Sequence, residues 1–252
     1  MRYFIQLSFK GTRYHGWQKQ KNANSVQAEL DKALSTLLGI LIETIGCGRT
    51  DSGVHALIYI AHFDYPSSIK NPDKLKYQLN QILPFDISVY WVREVVSIAH
   101  ARFDAISRTY EYHIIFEKNP FEEDASLLLH KKPDISKLSE ICKILFEYSD
   151  YTSFSKLHSD NKTNICKIIE AKWYEIENKI IFRIKANRFL RNMVRSIVGS
   201  MLDAGNNKIT VDDFRSIIEA SDRSKARTSA PAHGLYLVDV EYPPNIFLKG
   251  DL

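Results

Sequence analysis

The order of strands and helices is repeated in the two halves of the chain, and this repeat constrains the fold more than any other feature. In the first half, strand patterns alternate with two helical patterns, at residues 3–9, 25–38, 41–46, 56–63, 72–83 and 88–95. The second half has the same order, at residues 109–116, 136–147, 167–177, 179–186, 189–205 and 234–242, with an additional short helix near 211–220. Both halves have the order β-α-β-β-α-β. We therefore predict an α+β protein of two tandem ferredoxin-like (βαββαβ) subdomains, residues 1–104 and 105–252, which join their sheets around a central cleft.

Local signals support these elements. Asn71 and Pro72 are typical of a helix start, and Gly205 is typical of a helix end. The helix predicted from Phe189 carries an apolar stripe, with Arg188 and Arg191 and a further arginine at position 195 on the flank beside it. The two strands 167–177 and 179–186 are predicted to form a hairpin around Asn178.

Composition excludes several classes of protein. The chain has 252 residues, of which 44% are hydrophobic, so it can bury a core without disulfide bonds. Its three cysteines are widely spaced and form no CxxC pair, which argues against a structural zinc site and favours a reducing compartment. The N-terminus lacks an apolar signal core, and no apolar run approaches 18 residues. We expect a cytoplasmic protein that is neither secreted nor inserted in a membrane.

Positive charge is concentrated in three segments that contain no acidic residue, namely 10–24, 183–195 and 223–227. The three segments together carry twelve positive charges, whereas the net charge of the chain is only +4. The rest of the chain is therefore acidic on balance. If the three segments meet in space, they form a surface suited to a polyanion such as nucleic acid. Three unrelated solvated loops would produce the same pattern, and charge alone does not separate these interpretations.

The strongest local signal is the loop from Gly46 to His55, which places three glycines and the pair Arg49 and Asp51 within ten residues. Glycine permits positive φ and close approach by another backbone. A neighbouring arginine favours the ionised form of an aspartate, which an anionic RNA would otherwise disfavour. The alternative is that Thr-Asp-Ser-Gly forms only a hydrogen-bonded turn. The spacing does not match a phosphate-binding loop, and the chain has neither a dinucleotide fingerprint nor an HExxH zinc helix.

Seven blocks of sequence carry a resemblance to a known family. The block GCGRTDSGVHA resembles the active-site signature of the tRNA pseudouridine synthase A family, which usually has the form GRTDAGVHA. The other blocks follow in the family's order: YHGWQKQ, SVQAELDKAL, ARFDAISRTYEYHI, YTSFSK, ANRFLRNMVRSIVGSML and APAHGLYLVDVEYP. The resemblance covers essentially the whole chain.

The resemblance implies an enzyme that isomerises uridine to pseudouridine in the anticodon stem-loop of tRNA, without cofactor or metal. It places the catalytic nucleophile at Asp51 and a substrate contact at Tyr110, and it matches Arg195 to the arginine of the family's MVR segment. From its charge, we expect Arg195 to be the partner of the aspartate, and we count Arg49 and Arg195 with Tyr110 as substrate contacts. The resemblance further implies a homodimer that grips one tRNA across both subunits. From their charge, we expect additional RNA contacts at Arg13, Lys19, Lys21, Arg188 and Arg191. Whether the aspartate attacks the ribose or the pyrimidine ring stays open.

Some residues have a second interpretation or depart from the family pattern. By pattern alone Tyr110 would be a core tyrosine of an alternating strand, and Tyr112 keeps that interpretation. Glu111 and Cys166 occupy positions that are often basic, which puts phosphate contacts there in doubt, whereas Ser52 in place of alanine should be harmless. The histidines His55, His62 and His233 do not have metal-ligand spacing, and we expect structural or RNA-facing roles for them.

Two other classes of function remain as alternatives. A non-catalytic RNA-binding or chaperone protein with the same fold would bind tRNA tightly and leave it unmodified. A hydrolase or phosphatase with an aspartate nucleophile would normally need an acidic cluster that binds magnesium. Two long polar segments, 10–24 and 149–164, are candidates for loops that hold the substrate.

Overall fold

A computed structural model describes residues 1–156 and 163–248 of the chain. The protein is of the α+β class, as predicted, and its chain divides into two compact units. The first unit contains Met1–Ile106 together with the chain from Leu237 onward, and the second contains Ser107–Tyr236. The predicted subdomains, 1–104 and 105–252, differ from this division, because they place the segment from Leu237 onward in the second subdomain. These subdomains, their joined sheets and the central cleft stay predictions.

The first unit has the predicted order of elements: β1 (Arg2–Phe9), α1 (Val26–Leu38), β2 (Ile45–Gly46), β3 (His55–Asp64), α2 (Pro72–Ile82) and β4 (Ile87–Val95). Strand β1 lies between β3 and β4 and is antiparallel to both. Its apolar side chains Phe4, Ile5 and Leu7 are buried, and since neighbouring residues of a strand point to opposite faces, β1 is covered on both faces at Phe4 and Ile5. The short β2 pairs with β3 and leads directly into the loop of Asp51.

Helix α2 begins where the sequence predicts, and α1 begins at Val26, one residue after the start of the predicted helical segment. The Ser25 side chain accepts a hydrogen bond from the backbone N–H of Ala28, and Asn71 accepts one from Lys74, with Pro72 at the first helical position. Helix α1 ends at Gly39, which has a left-handed conformation. The predicted strand over 41–46 is limited to its last two residues, since only Ile45 and Gly46 pair with β3.

The second unit contains β5 (Ser107–Ile115), β6 (Leu127–Leu128), α3 (Ile135–Ile144), β7 (Ile168–Ile176), β8 (Lys179–Ala186), α4 (Met193–Gly205) and α5 (Val211–Glu219). Strand β8 lies between β5 and β7 and is antiparallel to both. The predicted hairpin of β7 and β8 is confirmed, and Glu177 in its turn has a φ of 52°. The short strand β6, which pairs in parallel with β5, was not predicted. Strand β9 (Leu235–Glu241) begins in this unit and continues in the first.

The start of α4 differs from the sequence prediction. The helix begins at Met193 and not at Phe189, because Asn192 has a left-handed backbone with φ 65° that interrupts helical geometry. Only Arg195 therefore lies on the helix, and the predicted row of three arginines along one helical flank is wrong. Arg188 and Arg191 belong to the non-helical segment that precedes it.

Among the described residues, none of the helices combines the length and the apolar character that crossing a membrane requires.

Candidate active site

Asp51 lies in the loop between β2 and β3, half-buried, and Arg49 two residues earlier is exposed. The backbone N–H of Val54 donates to the carbonyl oxygen of Asp51 at 3.2 Å, and Gly53 has a φ of +80°. These features form a tight turn with glycine at its third position. The hydrogen-bonded turn that the sequence allowed is therefore present, and it is the turn that presents the aspartate.

A second segment, from Tyr14 to Trp17, packs against this loop, although more than thirty residues separate the two in sequence. Before Asp51, the Thr50 hydroxyl oxygen accepts a hydrogen bond from the backbone N–H of Trp17 at 3.0 Å. After Asp51, the Ser52 hydroxyl and the Gly53 N–H both donate to the carbonyl oxygen of Tyr14, at 3.2 and 3.3 Å. Asp51 is thus anchored through its neighbours on both sides.

Two glycines allow this close approach of backbones. A Cβ added to Gly16 would lie 2.2 Å from the Thr50 carbonyl oxygen, and the φ of Gly16 is +84°. A Cβ added to Gly11 would lie 2.0 Å from the carbonyl oxygen of Val54. The glycine of the YHGWQ block is therefore required by the loop that carries Asp51.

Two buried aromatic side chains, Trp17 and Tyr59, pack beside the loop that carries Asp51. Trp17 is 1% exposed and stacks on Tyr59, with ring centroids 4.1 Å apart. The Tyr59 hydroxyl donates to the carbonyl oxygen of Gly48, and the Cys47 N–H donates to Ile60 at 2.7 Å. The segment 10–24, which was predicted to be a loop, and the glycine-rich loop 46–55 therefore pack together as one structural element.

Asp86, which the sequence did not indicate, binds two side chains of the segment 10–24. Its two carboxylate oxygens accept hydrogen bonds from the Tyr14 hydroxyl and the Arg13 guanidinium, both at 2.6 Å. Burial would raise the pKa of Asp86, but the two donors outweigh burial and hold this pKa below its ordinary value. No sequence signal distinguishes this aspartate, because it follows Pro84 and Phe85 in an ordinary turn.

The cations predicted to bind RNA in the first unit have different environments. Arg13 contacts Asp86, so part of its charge is already neutralised. Lys19 and Lys21 are exposed, and the backbone N–H of Lys19 donates to the Gln27 side chain at 2.8 Å. Their contacts with RNA stay predictions.

Tyr110 lies on β5 in the second unit, opposite Ile184 of β8. It is half-buried, and its ring meets Phe189 edge-on at 5.1 Å between centroids. Tyr112, two residues later on the same strand, is 0% exposed and donates its hydroxyl to Pro231 at 2.8 Å. Tyr112 is a core residue, as predicted, and Tyr110 is the more accessible of the two.

Two of the predicted arginines of the second unit, Arg195 and Arg188, donate to backbone carbonyls. Arg195 is partly buried and donates its Nε–H to Ala230 at 2.7 Å, while Ala230 donates its N–H to the Arg195 carbonyl at 2.9 Å. Arg188 donates to the carbonyl oxygen of Thr163 at 3.2 Å, and Arg191 is exposed. Residues 157–162 of the predicted polar loop 149–164 lie outside the described residues.

A polar cluster on strands β5, β7 and β8 neutralises part of the basic segment 183–195. Glu111 accepts hydrogen bonds from Arg183 at 2.7 Å and from the Tyr174 hydroxyl at 2.9 Å, and lies 3.1 Å from His113 Nε2. The contact with His113, followed by those with Arg183 and Tyr174, lowers the pKa of Glu111 to about 2 despite its burial. The doubt about a phosphate contact at position 111 is therefore justified, since this side chain has protein partners.

The remaining candidates have structural positions. His55 accepts the backbone N–H of Gly11 at Nδ1, and His62 accepts that of Ala101. Burial lowers the pKa of His62 to about 4, so this imidazole is neutral at physiological pH. Cys166 is fully buried and its thiol has a pKa raised by burial to about 11. Within residues 1–156 and 163–248, no three histidine, cysteine or acidic side chains are grouped to hold a metal ion.

The predicted site residues are divided between the two units. The first unit brings Asp51 and Arg49 together on one loop, against the segment that follows Arg13. The second unit carries Tyr110 on β5 and Arg195 on α4, with Arg188 and Arg191 immediately before that helix.

Comparison with known proteins identifies the family of the chain. A family model described as tRNA pseudouridine synthase matches residues 6–104 and 145–243. A protein named tRNA pseudouridine synthase A from Bacteroides fragilis is 55% identical over 247 residues, covering 98% of this chain and 98% of its own. Proteins of the same name from Bacteroides thetaiotaomicron and Porphyromonas gingivalis are 52% and 48% identical, covering 98% of this chain and 92% and 99% of their own. The chain therefore belongs to the tRNA pseudouridine synthase family.

Proposed function

We propose that this enzyme converts uridine to pseudouridine in the anticodon stem-loop of tRNA, with Asp51 as its nucleophile. The observation that carries the proposal is the turn of Asp51, which presents one half-buried carboxylate on a loop anchored on both sides. Membership of the tRNA pseudouridine synthase family makes the enzyme an isomerase that acts on tRNA uridine.

The reaction needs a nucleophile and a confined base, but no redox partner. The bond from ribose C1′ to N1 of uracil breaks, the base rotates, and a new bond forms from C1′ to C5. The hydrogen on C5 leaves as a proton, and one proton is taken up at N1, so the product is an isomer of the substrate. A carboxylate can form a transient covalent bond with either the ribose or the ring, and it is regenerated at the end.

Tyr110 and the two arginines are the proposed substrate contacts. A uridine in a stem must first be extruded from its helix, at a cost of a few kcal/mol. Stacking on an accessible aromatic ring such as Tyr110 is worth about 1–3 kcal/mol, which offsets part of that cost. Arg49 and Arg195 would hold the aspartate or a neighbouring phosphate by charge-assisted hydrogen bonds.

The peripheral cations would bind the RNA backbone. Lys19, Lys21, Arg188 and Arg191 fit this role by charge and position, and Arg13 fits it less well because Asp86 already engages its guanidinium. The stem-loop specificity, a homodimer that holds one tRNA and a cytoplasmic location complete the proposal. Light scattering of the purified protein, alone and with tRNA, tests the dimer.

The decisive test against a non-catalytic RNA-binding protein is the nucleoside content of tRNA. Unmodified tRNA transcripts are incubated with the purified protein, digested to nucleosides and separated by chromatography. We expect pseudouridine to appear, and mapping should place it in the anticodon stem-loop. Tight, salt-sensitive binding of tRNA without any pseudouridine would overturn the proposal. The hydrolase alternative predicts strict dependence on magnesium, so activity in EDTA on a transcript folded beforehand would exclude it.

A further inference from the structure

We infer that Thr50 is a positioning residue, which fixes the Asp51 carboxylate by anchoring its loop to the segment Tyr14–Trp17. The inference rests on the proposed role of Asp51 as nucleophile. It assigns a function to the threonine of the GRTDSG sequence and gives the YHGW block a role in holding it.

The anchoring is asymmetric about Asp51, because Thr50 supplies a side-chain acceptor before the aspartate whereas Ser52 and Gly53 supply donors after it. On the C-terminal side, Ser52 and Gly53 both donate to the single carbonyl oxygen of Tyr14. On the N-terminal side, the Thr50 hydroxyl accepts the N–H of Trp17 at 3.0 Å. The carbonyl oxygen of Thr50 also packs against Gly16, where no Cβ would fit.

The anchor itself is rigid. Trp17 is almost fully buried and stacked on Tyr59, and Tyr14 is held through its hydroxyl by Asp86. The loop that it fixes has little intrinsic stiffness, because Gly48 and Gly53 flank the aspartate within the loop. A soft loop needs such external contacts if it is to hold a nucleophile in an attacking geometry, since a misplacement of about 1 Å can cost on the order of a hundredfold in rate.

A matched pair of substitutions at Thr50 distinguishes the contribution of the hydroxyl group from that of the methyl group. Thr50→Val replaces the hydroxyl by a methyl group of similar size and leaves the Trp17 N–H without its acceptor. Thr50→Ser keeps the hydroxyl and removes only the methyl group. Steady-state kinetics on a tRNA transcript give kcat and KM for each variant, with circular dichroism and thermal unfolding to compare their folds.

We expect Thr50→Val to lower kcat by about tenfold to a hundredfold, with KM for tRNA within about twofold of the wild type. Thr50→Ser should retain most of the wild-type kcat. A change in KM with unchanged kcat would overturn the inference, because it would make Thr50 a tRNA contact. Equal losses in the serine and valine variants would also overturn it, because the hydroxyl would then not be the group that matters.

Two additional variants keep the test decisive. If Thr50→Val does not fold, Thr50→Ala removes the same acceptor with less steric change, and the same predictions apply to it. Asp51→Asn tests the nucleophile separately. An inactive Asp51→Asn beside a fully active Thr50→Val would reject only the positioning role, whereas an active Asp51→Asn would reject the proposed nucleophile itself.

Discussion

Two regions of the molecule hold polar side chains in place by different means. In the loop of Asp51, the contacts are made by backbone groups and hydroxyls, and they depend on glycines that let two backbones approach. In the cluster around Glu111 on β5, β7 and β8, the contacts are made by ionisable side chains that protrude from regular strands. The first region should therefore be sensitive to added side-chain volume, and the second to pH.

The difference also bears on function. Regular strands fix their backbones by ladder hydrogen bonds, so the Glu111 cluster needs only side-chain pairing. The Asp51 loop lacks a ladder, and its geometry depends on contacts with residues 11–17 and with Tyr59 and Ile60 of β3. A loop of this kind can present a reactive group at the end of a strand, where a substrate can reach it.

The largest effect is expected from Gly16→Ala in the first region. The new Cβ would lie 2.2 Å from the Thr50 carbonyl oxygen, and alanine disfavours a φ of +84°. We expect the free energy of unfolding to fall by about 2–3 kcal/mol, and kcat/KM to fall at least about a hundredfold. Urea denaturation and steady-state kinetics measure the two quantities.

Gly48→Ala is the matched stability control, because a Cβ at Gly48 meets no atom within 4 Å and its φ is not positive. Its unfolding free energy should stay within about 0.5 kcal/mol of the wild type. Equal destabilisation by the two substitutions would contradict the close approach at Gly16.

A smaller effect, and one that depends on pH, is expected from Glu111→Gln in the second region. The folded-state pKa of Glu111 is lowered from 4.5 to about 2, so its ionised form stabilises the fold at pH values above about 4.5. This stabilisation is lost as the pH falls from about 4.5 towards 2. We expect Glu111→Gln to lower the unfolding free energy by about 1–2 kcal/mol at neutral pH, with a flatter dependence on pH below 5.

Urea denaturation at a series of pH values from neutral to acid checks this expectation. Glu117→Gln provides the control, since Glu117 is an exposed glutamate just after the end of β5, the strand that carries Glu111. If Glu111→Gln and the wild type lost stability in parallel as the pH falls, the carboxylate network would not be the source of the pH dependence.

The smallest effect is expected from Arg191→Gln, which compares an exposed arginine with one engaged in the Glu111 cluster. Arg191 is exposed, whereas Arg183 contacts Glu111 and Glu170. Loss of one phosphate contact should weaken tRNA binding by a few-fold and reduce the slope of log affinity against log salt by about 1. Arg183→Gln should leave that slope unchanged. Binding titrations across a salt series measure both, and a reduced slope in Arg183→Gln alone would reverse the assignment.

The sequence predicted the elements of both units because their patterns are local. The helix start at Asn71 and Pro72 and the alternation of β5 need only neighbouring residues. The start of α4 was misplaced because the apolar stripe continues through Phe189 and Leu190, while the left-handed backbone of Asn192 leaves no periodic signal. The strand β6 is two residues long and is formed only by pairing with β5.

The candidate site was predictable as a set of residues but not as an arrangement. The resemblance placed Asp51 and Tyr110, yet it did not indicate that the YHGW block holds the aspartate loop. That contact joins residues more than thirty positions apart, and on the side of the YHGW block it uses only backbone groups, which have no residue-type signature. Asp86 was missed for a related reason, because a single acidic residue after a turn is common and its partners, Arg13 and Tyr14, lie in another segment.

The release of tritium from tRNA labelled at C5 of uridine tests the central claim most directly. Forming the bond from C1′ to C5 expels the hydrogen of C5, so the wild-type enzyme should release tritium in proportion to the pseudouridine formed. Asp51→Asn, which has nearly the same shape without the charge, should bind tRNA and release none above background. Tritium release by Asp51→Asn at the wild-type rate would contradict the assignment of Asp51 as the nucleophile.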